Sequence, residues 1–146
     1  MNNIFLVLAV AGGAGLSVQL ILNARLHAAS GSALWASLIQ FAVGLAGLAV
    51  VAAFVREPFP WAGLSRAPWW LWTSGLVGAA YILLSIILVR ELGAALLLAT
   101  VVVGQLAASL LIDHYGWLGM PVHRLSIPRV VGAALLVAGV SLIRWR

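Results

Sequence analysis

The sequence predicts an all-α integral membrane protein whose single domain, residues 1–146, crosses the membrane five times. Of the 146 residues, 64% are hydrophobic and only 8% are charged, which is more apolar surface than a soluble domain of this length can bury. Five apolar runs approach the length of about 20 residues that a helix needs to cross the hydrocarbon of a bilayer. The runs lack the alternating polarity of barrel strands, so we expect helices.

The five predicted helices follow from the apolar runs and from the residues that separate them. They cover about residues 4–24, 33–55, 69–89, 93–112 and 127–143. The last run is the shortest, and Pro128 near its start suits the first turn of a helix. The longest connections are 56–68, which contains three prolines, and 113–126. Most tryptophans lie at the ends of the runs, as in the aromatic belts of membrane proteins.

Charge and motif content argue against several classes of function. The net charge is +5, but the basic residues are all arginines spread thinly over the helix ends, so we expect no nucleic-acid partner. Without cysteine, thiolate chemistry and disulfides are excluded. The usual nucleophile, phosphate-loop and zinc-protease motifs are missing, so we expect no enzyme, cofactor or metal. Asp113, His114, His123 and Arg124 match no metal-ligand spacing and are interpreted as part of a surface loop.

The arginines are balanced between the two predicted sides of the membrane. Five crossings place one group with the amino terminus and the long loops and the other group opposite: Arg56, Arg66, Arg124 and Arg129 against Arg25, Arg90, Arg144 and Arg146. Orientation normally follows the cytoplasmic excess of Lys and Arg, and here there is none. Either one or two arginines are buried and do not count, or the chain inserts both ways. In the second case two antiparallel copies would form an inverted repeat between subunits.

Polar residues inside the runs recur at helical spacing and form stripes. The candidate solute-binding residues among them are Gln19 and Asn23 on the first helix, Gln40 on the second, Tyr81 and Ser85 on the third, and Gln105 on the fourth. We expect the stripes to converge, because lipid offers their hydrogen-bonding groups no partner. They either hold helices together or line a solute pathway. Both interpretations stay open for the amides, and Gln105 could equally brace the loop that follows it.

Arg25 is the remaining candidate for solute binding. It lies near the end of the first helix, away from the side that carries Asn23. An arginine there can extend to the lipid headgroups. Alternatively, it faces a cavity and binds a solute carboxylate or phosphate through its planar guanidinium group.

Three segments resemble a known family of membrane proteins. They are GLSVQLILNARL (residues 15–26), GQLAASLLIDHYGWLG (104–119) and, after Arg124, PRVVGAALLVAGVSLI (128–143). Together they resemble the small single-repeat, YdcZ-like branch of the drug/metabolite transporter superfamily, a distant relative of the small multidrug resistance exporters. The resemblance implies a five-helix protein of the inner membrane that works as an antiparallel dimer. Those exporters carry a membrane-embedded glutamate on the first helix, which this sequence lacks, so their exchange of cations for protons is not implied.

We therefore predict a membrane transporter subunit for a small organic solute, with its pathway at the interface of an antiparallel dimer. Amides and arginines without a central carboxylate favour an organic anion such as a carboxylate over a cation. The expected partners are a second copy or an oppositely oriented paralogue, the solute, and membrane lipid. An exporter of small organic cations, a non-transporting assembly subunit and a dual-topology ion channel are the alternatives. The sequence does not identify the solute or the coupling ion.

Overall fold

The computed structural model describes residues 3–145, which form helices joined by turns and loops. The helices are α1 (Asn3–Ser30), α2 (Ala33–Val55), α3 (Trp61–Leu64), α4 (Ser74–Leu92), α5 (Ala94–Tyr115) and α6 (Ile127–Arg144), with 3₁₀ turns at Trp69–Thr73 and Trp117–Gly119. Five helical segments are long and apolar enough to cross a membrane. The all-helical class and the presence of five helices long and apolar enough to cross a membrane are therefore confirmed. Arg146, one of the arginines in the charge balance, lies outside the described residues.

Three of the spans end later than the sequence expectation: the first, the third, and the fourth, which is α5 and ends at Tyr115 and not near residue 112. We expected the first helix to end near residue 24, but α1 continues to Ser30. The extra turns contain Ala28 and Ala29, which favour helix, and the chain turns only at Gly31, whose φ of 70° lies in the left-handed region. The third span begins with a 3₁₀ turn after Pro68 and continues through α4 to Leu92.

The chain divides into two compact units, the first of which ends at Glu91. In this unit α1 and α2 pack as a hairpin around the tight turn at Gly31. The Ser32 hydroxyl caps α2 by accepting a hydrogen bond from the Trp35 backbone N–H at 3.4 Å. The buried side chains lie in the halves of α1 and α2 near this turn and on α4: Leu20, Asn23, Ala36, Ser37, Ser85 and Ile86. The polar candidates on the first three predicted spans lie in or beside this buried region, whereas Gln105, on the fourth span, is exposed in the second unit.

The second unit starts at Leu92 and contains the packed helices α5 and α6. The loop that joins them is fixed at three points. The Asp113 carbonyl accepts a hydrogen bond from the His123 N–H at 2.8 Å, and the Asp113 carboxylate pairs with Arg129 at 3.3 Å. The Leu125 N–H donates to His114 Nδ1 at 3.2 Å. These bonds agree with the interpretation of Asp113 and the histidines as part of a braced loop.

Much of the apolar surface of the spans is exposed within the single chain. The described part of α6 has no buried residue, and residues 3–16 of α1 are exposed throughout. Exposed apolar surface on this scale needs lipid or another protein to cover it. The same helices are long and apolar enough to cross a membrane. Their outward faces are therefore suited to hydrocarbon or to a second copy of the chain.

The turn after α5 generates a prediction about stability. Gly116 has a φ of 66°, and an added Cβ would lie 2.7 Å from Val122 Cγ2 and 3.3 Å from the Met120 carbonyl oxygen. We expect Gly116→Ala to lower the free energy of unfolding by about 2 kcal/mol, because backbone strain and a steric overlap act together. Thermal unfolding in detergent, followed by tryptophan fluorescence, measures the change.

Gly119→Ala is the matched control for this substitution. Gly119 also has a positive φ, of 79°, but an added Cβ there would meet no atom within 4 Å. This variant isolates the backbone strain, which costs about 1 kcal/mol. An equal decrease in the free energy of unfolding in Gly116→Ala and Gly119→Ala would contradict the predicted steric overlap with Val122.

Candidate functional site

A group of polar side chains lies within the buried region of the first unit. Its centre is Asn23, which is only 4% exposed, and it includes the partly buried Gln19 and Gln40. We call Gln19, Asn23 and Gln40 the amide cluster. It forms because α1 and α2 run antiparallel from the turn at Gly31, which brings the second half of α1 beside the first half of α2.

The amide cluster contains one hydrogen bond between helices. Asn23 Nδ2 donates to Gln40 Oε1 at 2.8 Å. Hydrogen bonds of this kind between membrane helices stabilise the pair by about 0.6–1 kcal/mol. Gln19 makes no side-chain hydrogen bond with any residue between 3 and 145. One amide pair therefore holds α1 to α2, whereas Gln19 has its hydrogen-bonding groups free.

A small cavity lies between α1 and α4 on the side of the amide cluster. Its lining consists of Leu16, Gln19, Leu20, Asn23, Tyr81, Ile82 and Ser85. The cavity volume is about 10 Å³, which is the space of a single water molecule. Binding pockets for small organic molecules are some 300–1,000 Å³. Within one copy of the first unit, this cavity is therefore too small for an organic solute.

The buried serines near the cavity are hydrogen-bonded within their own helices. The Ser85 hydroxyl donates to the Ile82 carbonyl at 2.8 Å, and the Ser37 hydroxyl donates to the Ala33 carbonyl at the same distance. Neither hydroxyl proton is available to a solute while these bonds persist. Gln19 and Tyr81 also line the cavity and make no side-chain hydrogen bond with the described residues, and Tyr81 is 36% exposed.

The structure brings together five of the seven predicted solute-binding residues. These five lie in the first unit around the amide cluster and the cavity: Gln19, Asn23, Gln40, Tyr81 and Ser85. Arg25 is exposed near the carboxyl end of α1, and Gln105 is exposed on α5 in the second unit. Neither belongs to the amide cluster. That these seven side chains bind solute stays a prediction.

His27 was not singled out from the sequence, although it continues a pattern that was recognised. Positions 19, 23 and 27 follow one another at intervals of four, which places them on one side of α1. The Nδ1 atom of His27 is buried and has no hydrogen-bond partner among the described residues. In the sequence, the interval of four residues after Asn23 is the signal that places His27 on the polar side of α1.

The three acidic residues lie at helix ends or beyond them. Glu57 follows α2, Glu91 is in the last turn of α4, and Asp113 is in the last turn of α5. Asp113 is paired with Arg129, which is the one ion pair found between residues 3 and 145. Both glutamates are exposed. The middle of each span therefore lacks a carboxylate that could pair with a buried cation.

Two wider grooves lie in the second unit, both near helix ends. One, of about 780 Å³, is lined by residues 92–96 and 142–144. The other, of about 310 Å³, lies between α5 and α6 and includes Ser109 and the Asp113–Arg129 pair. The charges in the second groove are already neutralised by each other, so it offers a solute less electrostatic attraction than an isolated charge would.

Comparison with known proteins gives a family and one curated relative. The profile of the family described as "Putative inner membrane exporter, YdcZ" matches residues 4–142. The chain is 32% identical over 146 residues to the inner membrane protein YdcZ of Escherichia coli (strain K12), a match that covers 99% of this chain and 97% of that protein. No solved structure gives a significant match. The family match covers nearly the whole chain, including every predicted solute-binding residue.

The bond within the amide cluster generates a prediction about helix packing. We expect Asn23→Leu and Gln40→Leu each to destabilise the protein, because each leaves the partner amide without its hydrogen bond. The double variant should lose about 0.6–1 kcal/mol less unfolding free energy than the two single variants lose together. This difference is the coupling energy of the pair. Unfolding in increasing fractions of sodium dodecyl sulfate, followed by circular dichroism, gives the four free energies of the cycle.

Gln105→Leu serves as the control for this cycle, because Gln105 is an exposed amide on another helix. Its effect should add to that of Asn23→Leu without coupling. Additive effects of Asn23→Leu and Gln40→Leu would contradict the interhelical bond.

Proposed function

This chain belongs to the YdcZ family of inner membrane transporters, and we propose that it moves small organic anions along a pathway between two antiparallel copies. The family membership and the five apolar helices make it a multi-pass protein of the inner membrane. The family is one of membrane exporters and not of enzymes. The solute class, the pathway and the antiparallel dimer are the proposal.

The observation that carries the proposal is the chemistry of the buried polar groups. In the described spans these are neutral amides and hydroxyls, and the carboxylates lie at helix ends. A cation in such a surrounding would lose its hydration without gaining an opposite charge, which costs several kcal/mol. An anion can instead accept hydrogen bonds from amide N–H groups. This asymmetry supports a carboxylate over a quaternary ammonium or guanidinium ion.

The size of the cavity supports a pathway formed by two copies. A space of about 10 Å³ beside Gln19 holds no organic solute, so a larger site at the amide cluster needs a second surface. Glycines on the outer faces of α1 and α2 have open space where a Cβ would lie: Gly12, Gly13, Gly15, Gly44 and Gly47. Another helix can approach closely over such positions. A second copy placed there would double the number of amide donors around the shared space.

The balance of arginines supports the antiparallel arrangement. The two predicted sides of the membrane have equal numbers of arginines, so the arginines give the chain no preferred orientation. Arg25 and Arg90 are exposed near the carboxyl ends of α1 and α4. In an antiparallel dimer each side of the membrane would have one Arg25 and one Arg90. An anion would then meet positive charge at both ends of the pathway and neutral donors between them.

Transport current tests the proposed solute class. We expect reconstituted protein on a solid-supported membrane to give saturable currents with small carboxylates such as acetate, lactate and succinate, and none with tetramethylammonium or guanidinium at matched ionic strength. Gln19→Leu should abolish the carboxylate current and leave the protein assembled, because Gln19 makes no hydrogen bond between described helices. Size exclusion in detergent reports the assembly.

Ser17→Ala is the matched control on the same helix, since the Ser17 hydroxyl is used in a bond to the Gly13 carbonyl. This variant should transport normally. Saturable currents from cations with none from carboxylates would refute the anion proposal. Loss of the dimer in Gln19→Leu, with normal transport by the remaining dimers, would show instead that the amide holds helices together.

Cysteine labelling tests the antiparallel arrangement. The chain has no native cysteine, so Ser65→Cys in the exposed connection between α2 and α4 introduces a single thiol. We expect it to react with an impermeant maleimide from both sides of the membrane, because the arginine balance allows both orientations.

Leu45→Cys, in the middle of α2, is the control for leakage and should stay unlabelled until detergent is added. Labelling of Ser65→Cys from one side only would rule out the homodimer with dual topology. The chain would then have a fixed orientation and would need an oppositely oriented paralogue.

A further inference from the structure

A groove in the second unit combines an apolar wall with a pair of opposite charges at one end. It lies between α5 and α6 and has a volume of about 310 Å³, within the range of sites that bind organic molecules. The charges are Asp113, near the carboxyl end of α5, and Arg129, near the amino end of α6. The apolar wall consists of Leu106, Leu110, Gly132, Ala133 and Leu136. We call this space the α5–α6 groove.

The α5–α6 groove runs from the ends of two membrane spans toward their middle. Its lining extends from residue 113 back to 106 on α5 and from 129 forward to 136 on α6, and seven helical positions correspond to about 10 Å. Beyond the charged end, the exposed rings of Tyr115 and Trp117 stack with 5.1 Å between their centroids. Aromatic rings of this kind are typical of the boundary between hydrocarbon and water. The charges therefore lie at the depth of the lipid head groups, and the apolar wall lies at the depth of the acyl chains.

The ion pair leaves hydrogen-bonding groups of both side chains unused. Arg129 Nη1 donates to Asp113 Oδ2 at 3.3 Å and to the His123 carbonyl at 3.4 Å. Arg129 Nε and Nη2 and Asp113 Oδ1 make no hydrogen bond with any residue between 3 and 145. The side chains of Arg129 and Asp113 are 39% and 24% exposed, and both line the groove. The charged end thus offers donors and an acceptor next to each other.

A ligand with a single charge fits this end of the groove poorly. An anion that pairs with Arg129 is repelled by Asp113, and a cation that pairs with Asp113 is repelled by Arg129. A zwitterion with its two charges a few bonds apart meets an opposite charge at both positions. A phosphate accepts hydrogen bonds from guanidinium N–H groups, and a primary ammonium group can donate to the carboxylate. A quaternary ammonium group has no N–H to donate.

We propose that the α5–α6 groove binds a phospholipid with an ethanolamine head group. Its phosphate pairs with Arg129, its ammonium group donates to Asp113 Oδ1, and part of an acyl chain lies along the apolar wall. Because this wall belongs to two membrane spans, the occupant is a lipid of the surrounding bilayer and not a dissolved zwitterion. The inference does not depend on which solute the protein moves.

Native mass spectrometry of the detergent-solubilised protein tests the head group. The probes are dioleoyl phospholipids that differ only in their head groups, which are ethanolamine, choline and glycerol. We expect the ethanolamine lipid to bind roughly fivefold more tightly than the other two, which is the upper range for one partly exposed ion pair. Equal affinities for the ethanolamine and choline lipids would overturn the proposal.

Competition with glycerophosphoethanolamine distinguishes a lipid from a dissolved zwitterion. This compound has the same head group without acyl chains, so at equal concentration it should not displace the ethanolamine lipid. Displacement at equal concentration would show that a dissolved zwitterion is the ligand and would overturn the proposed lipid site.

Asp113→Asn tests the role of the carboxylate. The variant keeps the backbone carbonyl that accepts a hydrogen bond from the His123 N–H, but it leaves Arg129 without an opposite charge. Its preference should therefore switch from the ethanolamine lipid to the anionic glycerol lipid. Glu91→Gln is the matched control, because it removes one exposed carboxylate at the end of α4 in the first unit. It should keep the preference for ethanolamine, and the same preference in Asp113→Asn would overturn the proposed pairing.

Gly132→Leu tests the apolar wall without changing the charges. An added Cβ at Gly132 meets no atom within 4 Å, so the leucine side chain can occupy the groove and should weaken binding of the ethanolamine lipid. Gly139→Leu is the matched control, since Gly139 also has open space at its Cβ but does not line the groove. Equal affinities in the two variants would overturn the placement of the acyl chain. Circular dichroism checks that each variant is folded.

Discussion

The absence of hydrogen-bond partners in lipid is the constraint on which the rest of this structure depends. A chain with five spans in hydrocarbon must satisfy its backbone within helices, since each unpaired polar group costs several kcal/mol. The side chains obey the same rule. Ser37 and Ser85 each bond a carbonyl of their own helix, as do Ser17, Thr100, Ser109 and Ser141. A hydroxyl can be satisfied this way because its short side chain reaches the preceding turn.

Amides in the same setting reach outward to another helix. Asn23 finds its partner in Gln40 across the α1–α2 hairpin, and this bond lies where most of the burial in the first unit lies. The bond uses one donor of Asn23 and one lone pair of Gln40, and an amide group has two donors and two lone pairs. Holding helices and binding solute are therefore compatible roles for these residues. Gln19 differs because its side chain makes no bond to another described helix, so it has more hydrogen-bonding capacity to offer.

The sequence predicts the spans well because hydrophobic length is a property of each segment alone. The end of α1 was placed too early because the apolar run stops before Ala28 and Ala29, which favour helix without adding much hydrophobicity. Gly31 was the stop signal in the sequence that marks the true end. Periodicity placed Gln19, Asn23, Gln40, Tyr81 and Ser85 on polar stripes, and the structure gathers them in one unit. The periodicity could not show that Arg25 and Gln105 would be exposed. Spacing along one helix contains no information about which neighbouring helix covers a given face.

The placement of charge links this architecture to the movement of an anion. Within the described residues the arginines and acids lie near helix ends or in connections, and the buried polar side chains are neutral. A permanent charge in the pathway would hold an anion on both sides of the membrane with similar strength, which slows release as much as it favours capture. Under the proposed function, the neutral amides of the amide cluster donate hydrogen bonds to the anion without holding it by a permanent opposite charge.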